Sequence, residues 1–141
     1  MKKILVPVDG STNSKLALEK AKELAKMNNG QVTVVTIVKD LSAQLYNIEN
    51  KDKQEIRNVF KKQGEEILKD GLEVFKECSG EIGSLLLNGD PAQEIISLSQ
   101  TGDYDLIIMG SRGLNAFSRL MIGSVSNKVL NHVSISVLIV K

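Results

Sequence analysis

Tryptophan is absent from this chain, and aromatic residues make up only 4% of it. Flat stacking platforms for bases or glycans are therefore scarce, and an apolar complement dominated by Leu, Ile and Val suits a sheet covered by helices. The single cysteine, Cys78, excludes an intrachain disulfide and any CxxC pair, in keeping with a reducing compartment. The single histidine, His132, has no second histidine, paired cysteines or acidic cluster nearby, so neither a zinc site nor a catalytic triad is available to it. Its place near a helix end gives it a capping or surface role. Neither sign of charge is in real excess: 18 Lys and Arg face 17 Asp and Glu, which argues against nucleic acid or an anionic membrane as a partner. No apolar run is long enough for a signal peptide or a bilayer span, so a cytoplasmic location is expected.

What is present is a regular alternation of strand and helix patterns, in a length of 141 residues that fits one domain. Residues 3–8 predict a strand ending in Pro7-Val8-Asp9-Gly10-Ser11, where the proline lacks a ladder donor and Gly10 turns the chain. Ala17, Leu18, Ala21, Leu24 and Ala25 share one face of a helix over 14–27, and Asn28-Asn29-Gly30 stops it with a left-handed cap. The β-branched run 32–38 belongs inside a parallel sheet. Residues 39–51 have no firm period and read as a lid, a partner surface or a short helical turn. A long amphipathic helix follows over 52–78, in which Gly64 and Gly71 predict close packing on the sheet. Residues 81–87 form a third strand, and Asn88-Gly89-Asp90-Pro91 turns into a helix with Asp90 as N-cap and Gln93 at the capping-box position. A strand over 105–109, a helix over 124–132 and a strand over 135–140 complete the series. Such alternation implies an α/β fold, a three-layer α/β/α sandwich around a five-stranded, mostly parallel sheet with right-handed crossovers.

The stretch from Asp105 to Ser126, DLIIMGSRGLNAFSRLMIGSVS, carries the chemistry. A short buried strand ends at Gly110, Gly113 follows, and Gly123-Ser124-Val125-Ser126 opens a helix. The first N–H groups of a helix have no intrahelical partner and face outward with the positive end of the peptide dipoles. Set beside a strand end, they and two serine hydroxyls can hold phosphate oxygens, while the glycines let backbone approach closely.

Gly110-x2-Gly113-x9-Gly123-Ser124, within GSRGL…RLMIGSVSNKVL, resembles the nucleotide-binding signature of the universal stress protein family, in its ATP-binding branch. The opening KKILVPVDGS resembles that family's first strand with its terminal aspartate, and the likeness extends over essentially the whole chain. The resemblance implies strand order 3-2-1-4-5, with the ligand at the carboxyl ends of the strands where the order reverses. It places Pro7 and Asp9 in the nucleotide pocket, Ile37 beside adenine and Met109 next to the nucleotide. Gly110, Gly113, Gly123, Ser124, Val125 and Ser126 become the triphosphate cradle, Val125 through its N–H and the serines through backbone and hydroxyl. On local grounds Asp9 serves equally as an Asx turn; its functional reading is a carboxylate for a ribose hydroxyl or for a hydrated Mg2+ or Mn2+ held mainly by the phosphates. Arg112 and Arg119 could reach phosphate, but loop arginines mostly face solvent, so both stay outside the expected site.

The function so implied is that of an ATP-binding stress-response or regulatory protein, whose nucleotide alters conformation or a partner surface with 39–51 as the moving part. No side chain is placed as a general base and there is no Walker A lysine, so hydrolysis is slow at most. A nucleotide-independent dimeric scaffold is the alternative. The family commonly pairs through its last strand, and the apolar ISVLIV edge needs covering, so a homodimer is expected. Ser134 and Ser136 stand where the family often has prolines, which leaves this edge with additional N–H donors.

Overall fold

The computed structural model describes residues 3–112 and 122–141. Strands and helices alternate: β1 (Lys3–Pro7), α1 (Thr12–Asn28), β2 (Gln31–Lys39), α2 (Asn50–Glu73), β3 (Ile82–Gly89), α3 (Pro91–Thr101), β4 (Leu106–Gly110), α4 (Ser124–His132) and β5 (Ser136–Val140). All strand pairs are parallel, in the order β3-β2-β1-β4-β5. The expected sandwich and strand order are thus present, and the order reverses between β1 and β4.

Alternate residues of the inner strands feed two cores. Ile4, Val6, Val34 and Ile108 pack with α1 and α2 on one side, while Leu5, Val35, Ile107 and Met109 pack with α3 and α4 on the other. Because both faces are covered, these strands are continuously apolar rather than alternating. Each fully buried side chain of this size contributes roughly 1.5–3 kcal/mol.

Several boundaries differ from the sequence expectation, for local reasons. Helix α1 starts two residues early because the Ser11 side chain accepts a hydrogen bond from Ser14 N–H (3.2 Å) and caps it. Its other end is the left-handed cap expected, at Asn29 with φ 49°. Helix α2 stops at Glu73 rather than near Cys78; beyond it Phe75, Lys76 and Cys78 donate to carbonyls three residues back, a tighter winding that drops Phe75 into the core. Strand β3 continues through Asn88 and Gly89, which pair with Val38 and Lys39, because β2 extends far enough to offer them partners. In the 39–51 connection, Leu45 N–H donates to Leu41 carbonyl (2.9 Å) and Leu45 is buried, giving one anchored turn.

The two helix glycines prove unequal. A methyl group at Gly64 would stand 2.8 Å from Leu86, 3.1 Å from Val38 and 3.3 Å from Thr36, so α2 needs glycine to lie this close to β2 and β3. At Gly71 the nearest atoms would be 3.4 Å and 3.5 Å away, on Val34 and Leu18, which is ordinary contact. Glycine in a helix interior costs roughly 1 kcal/mol relative to alanine. Gly71→Ala should therefore raise the stability by up to about 1 kcal/mol, while Gly64→Ala should gain nothing or lose, because Val38 and Thr36 are β-branched and cannot swing aside. Urea unfolding of the two variants provides the check.

Candidate functional site

At the carboxyl ends of β1, β2 and β4, where the strand order reverses, the protein opens into a cleft of about 340 Å³. This is where an open parallel sheet accommodates ligands, because the diverging connections leave a crevice. Nine residues selected from the sequence line it: Pro7 and Asp9 from β1's end, Ile37 from β2, Met109 and Gly110 from β4, and Gly123, Ser124, Val125 and Ser126 from the start of α4. Gly113, the tenth, and Arg119 lie outside the described residues.

The floor is set by β1. Val8 N–H donates to Val35 carbonyl (2.8 Å), the last rung between β1 and β2. Thr36 Oγ1 donates to Val8 carbonyl, fixing the rim from the buried side. In a parallel strand the N–H and C=O of alternate residues point to the same neighbour, so Ile37, two beyond Val35, directs both groups toward β1's side past its end. Ile37 itself lines the cleft, and this alternation turns its donor and acceptor to that side. Asp9 uses Oδ1 to accept from Ser11 N–H (2.9 Å), which is the Asx turn the sequence allowed. The same residue lines the cleft, so the turn and a ligand-facing carboxylate are compatible roles.

Helix α4 supplies the opposite wall. Gly123 is its N-cap and provides no side-chain cap, and the first intrahelical bond is Asn127 N–H to Gly123 carbonyl (2.9 Å). Among the described residues no side chain caps the N–H groups of Ser124, Val125 and Ser126, which stand at the positive end of the helix. Ser124 keeps an exposed side chain. Ser126 differs from expectation: it is buried, and its hydroxyl donates to Gly110 carbonyl (2.7 Å), so its proton is spent tying α4 to β4 and only its backbone N–H remains to donate outward. Gly110 also has a structural reason. A Cβ there would lie 2.8–2.9 Å from Asn13 atoms, backbone included, so the start of α1 packs directly on β4's end.

Val8, Ser14, Lys39, Pro91, Ile95 and Arg112 also line the cleft and were not among the expected residues. Pro91 and Ile95 come from the start of α3, whose N-cap Asp90 accepts from Gln93 N–H (3.0 Å) as expected; only packing against β2 and β4 brings them here. Arg112 was visible in the sequence but not its direction. Asp9 is the one carboxylate among the described lining residues, against two cations, Lys39 and Arg112. No group of three or more His, Cys, Asp or Glu suited to a metal occurs among the described residues. Beside the rim, the Ser42 hydroxyl and then its N–H hold the exposed Asp40 carboxyl below the usual range. His132 sits apart at the end of α4 with Nδ1 2.7 Å from Lys128 carbonyl, the helix-end role expected.

Sheet order and cleft together define a parallel α/β sandwich with its crevice at the switch point, walled by an uncapped helix N-terminus. Sequence comparison agrees: the model of the universal stress protein family matches residues 1–141. The chain belongs to that family. Universal stress protein YxiE of Bacillus subtilis is 34% identical over 146 residues, covering 99% of this chain and 98% of that protein. Universal stress protein UspA from Lactobacillus plantarum superposes with a TM-score of 0.82 at 22% identity, covering 99% of this chain and 97% of the other. The Archaeoglobus fulgidus universal stress protein solved with dAMP has a TM-score of 0.68 at 21% identity, with 100% and 98% covered. Other fold neighbours were solved with cAMP and, in an Arabidopsis thaliana protein, with AMP. No helix among the described residues is long and apolar enough to cross a membrane.

Proposed function

We propose that this protein binds ATP at the switch-point cleft and uses the nucleotide to change its conformation or its interaction with a protein partner. The observation that carries the reading is the start of α4, whose first N–H groups no side chain among the described residues caps, lining a cleft whose other wall offers the backbone of Ile37 to a base. The dAMP, cAMP and AMP held by family neighbours support an adenine nucleotide as the class of ligand. Ile37 and Met109 supply apolar contact to the adenine ring, Asp9 reaches a ribose hydroxyl, and the α4 N–H groups take phosphate. A divalent ion, Mg2+ or Mn2+, fits as a companion of the phosphates, with Asp9 the described lining residue able to meet its hydration shell. It would neutralise phosphate charge. Asp9 is the one carboxylate among the described lining residues, and its Oδ1 already accepts from Ser11 N–H, which supports a binding switch with slow hydrolysis at most.

Nucleotide released from the purified, denatured protein, with and without added Mg-ATP, tests this by mass spectrometry. Persistent ATP supports the switch, and steady conversion to ADP makes the protein a slow ATPase. Absence of nucleotide in both conditions, with no affinity in titration, overturns the reading in favour of a nucleotide-independent scaffold.

The same proposal includes a homodimer through β5. This strand is a sheet edge, and Val137, Leu138, Ile139 and Val140 are only half-buried on it. An edge of unpaired backbone with apolar side chains invites a second strand. Val137→Glu should shift a dimer to monomer in sedimentation velocity, and an unchanged dimer would place the interface elsewhere.

A further inference from the structure

The positive features of the cleft exceed what one phosphate needs. Arg112 lines it beside the start of α4 and is half-buried, and its Nε is buried with no hydrogen-bond partner among the described residues. The residue before it is held from three directions. Ser111 N–H donates to Val140 carbonyl (2.8 Å), its carbonyl accepts from Gly123 N–H, and its Oγ accepts from Asn13 Nδ2 (3.3 Å). Ser111 is 2% exposed, so the root of the Arg112 side chain is anchored where β4, β5, α1 and α4 meet.

A guanidinium carries five donors and no acceptor, stays charged at all ordinary pH, and loses most when a donor is shut away from both water and protein. Arg112 lines the same cleft as the start of α4, whose N–H groups carry partial positive charge. An anion shared by both satisfies the buried Nε–H and meets the positive end of the helix. Lys39 adds a third positive group at the β2 side, exposed and therefore weaker. Only Asp9 opposes them among the described lining residues. A single phosphate is already provided for by the three α4 N–H groups, so the extra charge suits a longer anionic chain.

We infer that Arg112 is a specificity-determining residue that clamps the polyphosphate chain and makes the cleft prefer nucleoside di- and triphosphates to monophosphates. The inference rests on the nucleotide reading above for the base, but not for the anion. With the base at β2 and the first phosphate at α4, the chain extends along the α4 wall toward the side chain rooted after β4. Bidentate N–H donation to phosphate oxygens is the geometry in which arginine exceeds lysine.

Calorimetric titration of the wild type, Arg112→Gln and Arg112→Lys with ATP, AMP and inorganic tripolyphosphate tests it, each also at raised salt. Arg112→Gln should weaken ATP and tripolyphosphate at least tenfold while changing AMP by less than about threefold, with Arg112→Lys between them. The salt dependence of ATP binding should flatten in Arg112→Gln. Unfolding curves overlying the wild type exclude a folding defect, and Arg112→Lys keeps the test alive if the glutamine variant misfolds. Equal loss of ATP and AMP, or unchanged ATP, overturns the clamp while leaving the nucleotide reading intact. Arginine-dependent tripolyphosphate binding without ATP binding would retain the clamp and overturn the nucleotide reading, whereas wild-type protein that takes neither anion overturns both.

Discussion

Gly110→Val is expected to lower the melting temperature by about 10 °C or more, and to abolish nucleotide binding with it. The glycine is 0 residues from the end of β4 by position, its last member, and α1 begins against it. Any Cβ at this point would meet the Asn13 carbonyl carbon at 2.8 Å and its oxygen at 2.9 Å. Backbone cannot rotate away as a flexible side chain can, so the start of α1 must move. Overpacking of this kind typically costs 1–3 kcal/mol and more where backbone shifts, and roughly 3 kcal/mol corresponds to about 10 °C in a domain of this size. The same shift would strain Asn13 Nδ2 to Ser111 Oγ and the Ser126 bond to Gly110 carbonyl, which tie α1 and α4 to the end of β4. Thermal unfolding followed by circular dichroism, together with ATP titration at low temperature, measures both losses. A variant as stable as the wild type would show that α1 does not rest on β4 in this way.

Ser124→Asp should separate stability from binding, and in opposite directions. Ser124 is the first residue of α4 and exposed, and the first turn of that helix contains no acidic residue. A carboxylate there complements the helix dipole and should stabilise the free protein by roughly 0.3–1 kcal/mol. It also places a fixed anion where the ligand phosphate belongs. Like charges about 4 Å apart repel by roughly 4 kcal/mol near a protein surface, so ATP affinity should fall a hundredfold or more. The paired outcome, a higher urea midpoint with lost ATP binding, is what a general folding defect cannot produce. Retained affinity would remove the α4 start from the site.

Much of this was legible in the sequence because it depends on local order. The alternation of apolar runs with helical faces defined five strands and four helices, and Asn29 and Asp90 cap their helices as their types require. Glycine and serine spacing located the α4 wall, and nine of the expected residues do line one cleft. Where the reading stopped short, a distant partner had decided the matter. The Ser126 hydroxyl is taken by Gly110 carbonyl, sixteen positions away in the chain. Gly110 is packed against Asn13, and Gly64 differs from Gly71 through what lies opposite each, β2 and β3 side chains for the first and Val34 of β2 with Leu18 of α1 for the second.

By itself, then, the sequence determined the elements, their order along the chain and the chemical types gathered near residue 124, since these follow from neighbouring residues and backbone propensity. Tertiary structure alone decided that Pro91 and Ile95 reach the cleft, and that the Arg112 Nε is buried without a hydrogen-bond partner among the described residues. Burial and close approach arise between segments as far apart as Asn13 and Ser111, 98 positions in sequence, and no local pattern records which such segments will meet.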